Sequence, residues 1–260
     1  MRSFMKARAF TPYIAECYEH VHGDGTKCPA PDACGRLHIA QLKWRDVFHN
    51  IVVTEGLNAL LNRTFNAVGA DVNWYVGLIG AGTGTVSETA SANSVTGSGT
   101  TFDAGLAVSP IADIIIVGAG ASGADLKTTV ASRSSNTAIT TTANAGTTVS
   151  GAAFATEPIA GDTLASHINS WSENASYSNS TRPAWTKNGA AASGAMSNSS
   201  SKAAFTINAS ARIFGAFLAS DSTKSGTSGT LYGGGLFTVS RSVESGDTLN
   251  VQVDPSLTAS

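Results

Sequence analysis

The chain has 260 residues, a net charge of -2 and a charged fraction of 13%, about half the level of ordinary soluble domains. Ala, Ser, Thr and Gly fill 128 positions, and no Lys or Arg occurs between Arg63 and Lys127. The near-neutral balance leaves no footprint for nucleic acid or an anionic membrane, and the scarcity of acids, bases and nucleophiles argues against an enzyme. A hydrophobic fraction of 42% still supplies a core, so order is expected rather than disorder.

The first 65 residues carry 8 of the 16 Lys and Arg and all three cysteines. Met1 to Lys6 is basic without an apolar run behind it, so no signal peptide is expected. No stretch approaches the ~20 apolar residues of a membrane span. An odd cysteine count confined to residues 17–34 gives no disulfide framework for the whole chain, which fits synthesis in a reducing cytoplasm. Ala9 to Tyr18 and Leu42 to Val53 read as strands, joined by the Gly/Pro-rich segment as an extended hairpin loop over 17–41. Thr54, as a cap, and Glu55, in a first turn, open the one convincing helix, with Leu57, Leu60, Leu61 and Phe65 at helical spacing. Asn73 to Ile79 follows as a buried strand.

Residues 81–159 differ in character. They are rich in Gly, Ser and Thr, with the short apolar run Ile114-Ile115-Ile116-Val117, and read as a small all-β module inserted into a host formed by 1–80 and 160–260. Larger side chains return after Ile159. Phe205, Ile207 and Ala209 share one strand face. In the next strand Phe214, Ala216 and Leu218 oppose Ile213 and Phe217. LYGGGLFTVSRSV and TLNVQV complete a series separated by Ser225–Gly229 and Glu244–Asp247 turns, the spacing of a sandwich or jelly-roll-like fold. The expected class is mainly β with one short helix.

Four constellations bear on chemistry. Gly118-Ala119-Gly120-Ala121-Ser122-Gly123 follows a strand in the manner of a dinucleotide turn. However, no helical stripe follows it, and no acid occurs between Asp125 and Glu157 to hold a ribose, so a glycine-rich turn is the better reading. Cys17, His20, His22, Cys28, Cys34 and His38 offer four ligands for a structural Zn²⁺, although their spacing matches no common zinc pattern. A Cys28–Cys34 disulfide formed after release from the cell, or an unlinked polar loop, are the other readings. His49 and His167 stand alone, and with 32 Ser in the chain a chance triad carries no information. Trp171, Tyr177 and Trp185, with Arg182-Pro183, suit packing anchors better than a sugar-stacking platform.

Several of these segments together resemble a family of small tailed-bacteriophage virion proteins. The likeness rests on Leu42-Lys43-Trp44-Arg45-Asp46, His49 to Asn58 and Trp74-Tyr75-Val76-Gly77-Leu78. It continues through Asp162 to His167, Trp171-Ser172-Glu173, Tyr177, Thr181-Arg182-Pro183, Gly215 to Leu218 and Gly246-Asp247-Thr248-Leu249. The chain departs from the family in its Cys/His segment and in residues 81–160, which resemble a β module of other phage structural proteins at Gly99-Thr100-Thr101-Phe102 and Val149-Ser150-Gly151-Ala152. The resemblance implies no catalytic residues. It implies a virion structural protein assembled in the host cytoplasm: an accessory capsid decoration or cement protein on the head, or alternatively a tail or fibre component. The expected partners are further copies of the chain, as a homo-oligomer such as a trimer, and the major capsid protein or other virion proteins.

Overall fold

Short β-branched runs divided by Gly, Ser and Asn turns dominate the chain, and they fold accordingly. The computed structural model describes residues 8–10, 12–28, 37–49, 51–63, 73–107, 111–165, 171–192 and 195–258. The chain runs through β1 (Arg8–Phe10), β2 (Pro12–His22), β3 (His38–His49), β4 (Ile51–Val52) and α1 (Thr54–Leu61). Then come β5 (Tyr75–Gly80), β6 (Thr85–Glu88), β7 (Ser94–Ser98), β8 (Asp113–Ile116), β9 (Leu126–Ser135), β10 (Ala138–Thr141), β11 (Val149–Ala152) and β12 (Phe154–Thr156). The remainder holds β13 (Ser172–Asn174), β14 (Ala203–Thr206), β15 (Ala211–Ala219), β16 (Leu231–Val243), β17 (Thr248–Val253) and β18 (Ser256–Thr258).

The fold is mainly β and sandwich-like, built from antiparallel sheets. A four-stranded sheet, β14-β17-β2-β3, faces a five-stranded sheet, β13-β5-β15-β16-β4. Between them lies a core of inward residues from both: Tyr13, Ala15, Cys17, Phe48, Leu249 and Val251 from the first, and Val76, Leu78, Ile213, Ala216 and Phe237 from the second. Alternate residues of β2 and β17 enter this core because side chains alternate across a strand. β3 runs into β4 with one residue between them and so passes from one sheet to the other.

Strand β15 is buried on both faces. Ile213, Ala216 and Leu218 join the inter-sheet core, while Phe214, Phe217 and Ala219 turn to a second core with Val53, Trp171 and Leu236. The sequence places Phe214 with Ala216 and Leu218. A register shift between Ile213 and Gly215 moves it to the other face, because one slip exchanges the faces of all that follows. Opposite, Gly77 admits the Phe217 ring, which occupies the place a Cβ would take.

Seven strands between Thr85 and Thr156 form one sheet, β11-β6-β7-β10-β9-β8-β12, over a core of Val86, Val95, Phe102, Ile114, Ile116, Val130, Ile139 and Phe154. The Ile run alternates. Ile114 and Ile116 face this core, while Ile115, with Ala155, enters the core around Phe214 and Trp171.

Two local expectations change. The loop expected over 17–41 is shorter, with strand at 17–22 and 38–41: β2 and β3 pair from Pro12↔His49 to His22↔His38 with one bulge beside Tyr18. Val21 and Ile39, both β-branched, extend the ladder beyond β17. In α1, the single α-helix among the described residues, Val53 holds the N-cap position without a side-chain cap. The Thr54 N–H instead donates to the Ala160 carbonyl, and Glu55 accepts from Leu231 N–H at 2.8 Å. Tertiary partners replace the local cap. Phe65 lies outside the described residues.

Candidate functional site

The polar residues that stand out in the sequence converge on three buried staples. In the largest, Arg182 is fully enclosed and meets Glu173 of β13 through two parallel contacts, Nε to Oε1 at 3.0 Å and Nη2 to Oε2 at 2.7 Å. Its remaining donors go to the Asp221 carbonyl at 2.8 Å and the Gly226 carbonyl at 3.0 Å, with the Phe217 ring centroid 5.2 Å away. Glu173 also accepts from Ser225 N–H and the Tyr177 hydroxyl. Burial first, and then the Glu173 carboxylate, push the Tyr177 phenol upward. Beside this group, Asp162 Oδ2 accepts from Trp171 Nε1 at 3.1 Å and from Ile159 N–H at 3.0 Å. Burial outweighs both donors and lifts its carboxyl to about 6. Trp171 and Tyr177 are buried and Trp185 donates to the Val253 carbonyl, so the aromatic series packs and staples and offers no stacking platform.

The second staple is Asp247, which is fully buried. It accepts from Glu244 N–H and meets Lys27 and Lys43, each at 3.0 Å. Burial opposes its charge, but these donors prevail and hold the carboxyl below its ordinary value. The third lies on β16. Between Ile213↔Arg241 and Gly215↔Leu236, residues 237–240 bulge out of the β15 ladder, which frees their amides. Asp46 of β3 accepts from Thr238 N–H, from its hydroxyl and from Arg241. Asp125 accepts from Ser240 N–H at 2.9 Å and from the Ser240 hydroxyl. A carboxylate thus replaces a ladder partner at two of these amides, Thr238 and Ser240.

Asp125 also explains the glycine motif. Its other oxygen accepts from Gly118 N–H, while Gly118, Ser122 and Gly123 take positive φ values of 76°, 56° and 79°. Gly120 backs onto the Asp125 carbonyl, so a Cβ there would clash. The motif is a tight turn that presents Asp125 to β16, and no helix of the dinucleotide type follows it.

The Cys/His residues are divided. Cys17 points into the inter-sheet core, and burial, reinforced by Asp247, raises its thiol to about 12. Three residues on, His20 takes the opposite face, with Nε2 3.1 Å from the Thr248 hydroxyl and its ring edge-on to His38 at 5.1 Å. His22 Nδ1 lies 3.2 Å from the Leu37 carbonyl. Cys28 is buried and disulfide-bonded, and Cys34 lies outside the described residues. Among the described residues no three His, Cys, Asp or Glu side chains gather as a metal site. His167 and the His49 side chain also lie outside the description. The strand period, which sets Cys17 and His20 on opposite faces, was the signal available in the sequence.

Glu88 and Glu157, which the sequence reading did not single out, are the other buried acids. Burial first, and then Asp113, lift Glu157 to about 7, against a 2.7 Å bond from Asp113 N–H and the charge of Lys127. Comparison with known proteins adds no relative: no family model, no curated protein and no solved structure matches the chain.

Proposed function

We propose that the chain is a non-enzymatic structural protein of a tailed-phage virion, an accessory decoration or cement protein on the capsid surface. The observation that carries this reading is the use made of the polar residues in the phage-like segments. Lys43, Asp46, Glu55, Asp162, Glu173, Arg182 and Asp247 are spent on bonds that tie strands, turns and the helix together. Such residues secure a shape. A protein that spends these polar groups on bracing its fold acts through the surface that the fold presents.

In this reading the chain assembles with further copies of itself and with the major capsid protein, and stabilises the shell by binding only its assembled form. Cryo-electron microscopy of purified particles, with antibody labelling of this chain, tests it. Density and label distributed over the head are expected. Label confined to the tail would transfer the protein to the tail or fibre, and absence from particles would end the virion reading.

A further inference from the structure

Glu88 ends β6 with its side chain in the apolar core of the seven-stranded sheet. It pairs with Val149 on one side and Val95 on the other, and Val95 pairs with Ile139. The four residues form one row across β11, β6, β7 and β10, three of them β-branched and one a carboxylic acid. Glu88 is 3% exposed, and neither of its carboxyl oxygens has a hydrogen-bond partner. The adjacent hydroxyl, Thr141, gives its proton to the Ala143 carbonyl at 2.8 Å. No titratable residue occurs in 89–101 or 134–156, which contain β7, β10, β11 and β12; Lys127 and Arg133 of β9 are engaged elsewhere, with Asp113 and the Phe102 carbonyl, and among the described residues no charged group acts on Glu88. A bare carboxylate in such a place is strongly disfavoured, and the neutral acid is tolerated.

Segments 89–93 and 142–148 meet at this end of the sheet, and 142–148 is anchored on its other side to Ala119, Gly120, Thr128 and Thr129. Ser91 N–H donates to Ala145 O, Ala145 N–H to Ala92 O, and Ala90 N–H to the Thr148 hydroxyl. Ser91 itself sits at φ 66°, a left-handed conformation that a non-glycine residue adopts at a cost. The direct contact between the two segments thus rests on these three bonds, next to the unpaired acid.

We propose that Glu88 is a proton-operated latch: when neutral it lets 89–93 and 142–148 close over the sheet end, and when ionised it draws in water and opens them. Burial supports this by raising the carboxyl to about 7 from 4.5, the nearby Thr141 hydroxyl offsetting only part of the rise. The latch loosens as pH rises from 4.5 and is fully released above about 7.

Hydrogen exchange of the full-length protein at pH 6 and pH 8, corrected for intrinsic rates, tests it. Opening at the Ser91 and Ala145 amides should be about tenfold more frequent at pH 8, the linkage expected for such a shift, and Glu88→Gln should abolish the difference. A wild-type change below about twofold overturns the latch, on the same linkage scale, as does a rise that persists in the Gln variant. Carboxyl ¹³C titration of Glu88 gives an independent reading: a midpoint near 7 supports the proposal and one at its ordinary 4.5 overturns it.

Discussion

Removing the cation from the Arg182 staple is the sharpest test of how this fold is held. Arg182→Met keeps an aliphatic stem but deletes the guanidinium over Phe217, with its two contacts to Glu173 and the two to the carbonyls of Asp221 and Gly226. Glu173, only 2% exposed, then keeps Ser225 N–H at 2.8 Å and a long contact from Tyr177 at 3.4 Å. Breaking a buried pair from one side costs about 3–5 kcal/mol, chiefly because the survivor is left charged in a dry site. Urea denaturation followed by tryptophan fluorescence measures this, with an expected midpoint shift of about 1–2 M for a denaturant slope near 2–3 kcal/mol/M. The double variant Arg182→Met/Glu173→Gln removes the stranded charge and should be more stable than Arg182→Met alone. A single-variant loss below about 1 kcal/mol, or a double variant less stable than the single, would refute the reasoning.

Glu157 is raised in the folded state, so its penalty is absent below its unfolded value of 4.5, grows as pH rises and is complete above about 7. Glu157→Gln should therefore raise the melting temperature at pH 8 and leave it nearly unchanged at pH 4.5, with an upper limit of about 3 kcal/mol. Gly77→Ala forces a methyl into the Phe217 ring, and calorimetry should show a loss of about 1–3 kcal/mol. Asp125→Ala strands the Ser240 and Gly118 amides at a cost of about 1–3 kcal/mol each, and limited proteolysis should then cut first near the turn at 118–123. Elemental analysis should find less than one zinc per chain, since Cys17 is a buried thiol held protonated and Cys28 is in a disulfide.

The strands of this protein were legible because each carries a local signal. Residues 211–219, 231–243 and 248–253 read as strands from their apolar and β-branched content alone, and so does the Ile114–Ile116 run. The helix was visible in its leucines and its start to within a residue, yet the cap was not, because the Ala160 carbonyl accepts the Thr54 N–H where a capping side chain was expected. The face assignment of Phe214 failed on a bulge, which no pattern in RIFGAFLA announces. The staples were the least legible part. Arg182 and Glu173 are nine positions apart, but Asp46 and Thr238 are separated by 192, and nothing in either neighbourhood names the other. Glu88 could be noticed as a lone acid among Ser and Thr, but its enclosure depends on three strands that pair only in the folded sheet.

The bulge of β16 makes the seven-stranded sheet hard to exchange. Cutting out residues 81–159 and rejoining the chain would leave the Ser240 amide without an acceptor and would uncover the face of Phe214, Phe217 and Leu236 that Ile115 and Ala155 now cover. A transplanted module would need its own carboxylate at the position of Asp125 and its own pair of apolar residues behind it. Residues 81–159 therefore connect to the rest of the chain as a fitted plug does to its socket, and a redesign would have to recast both halves together.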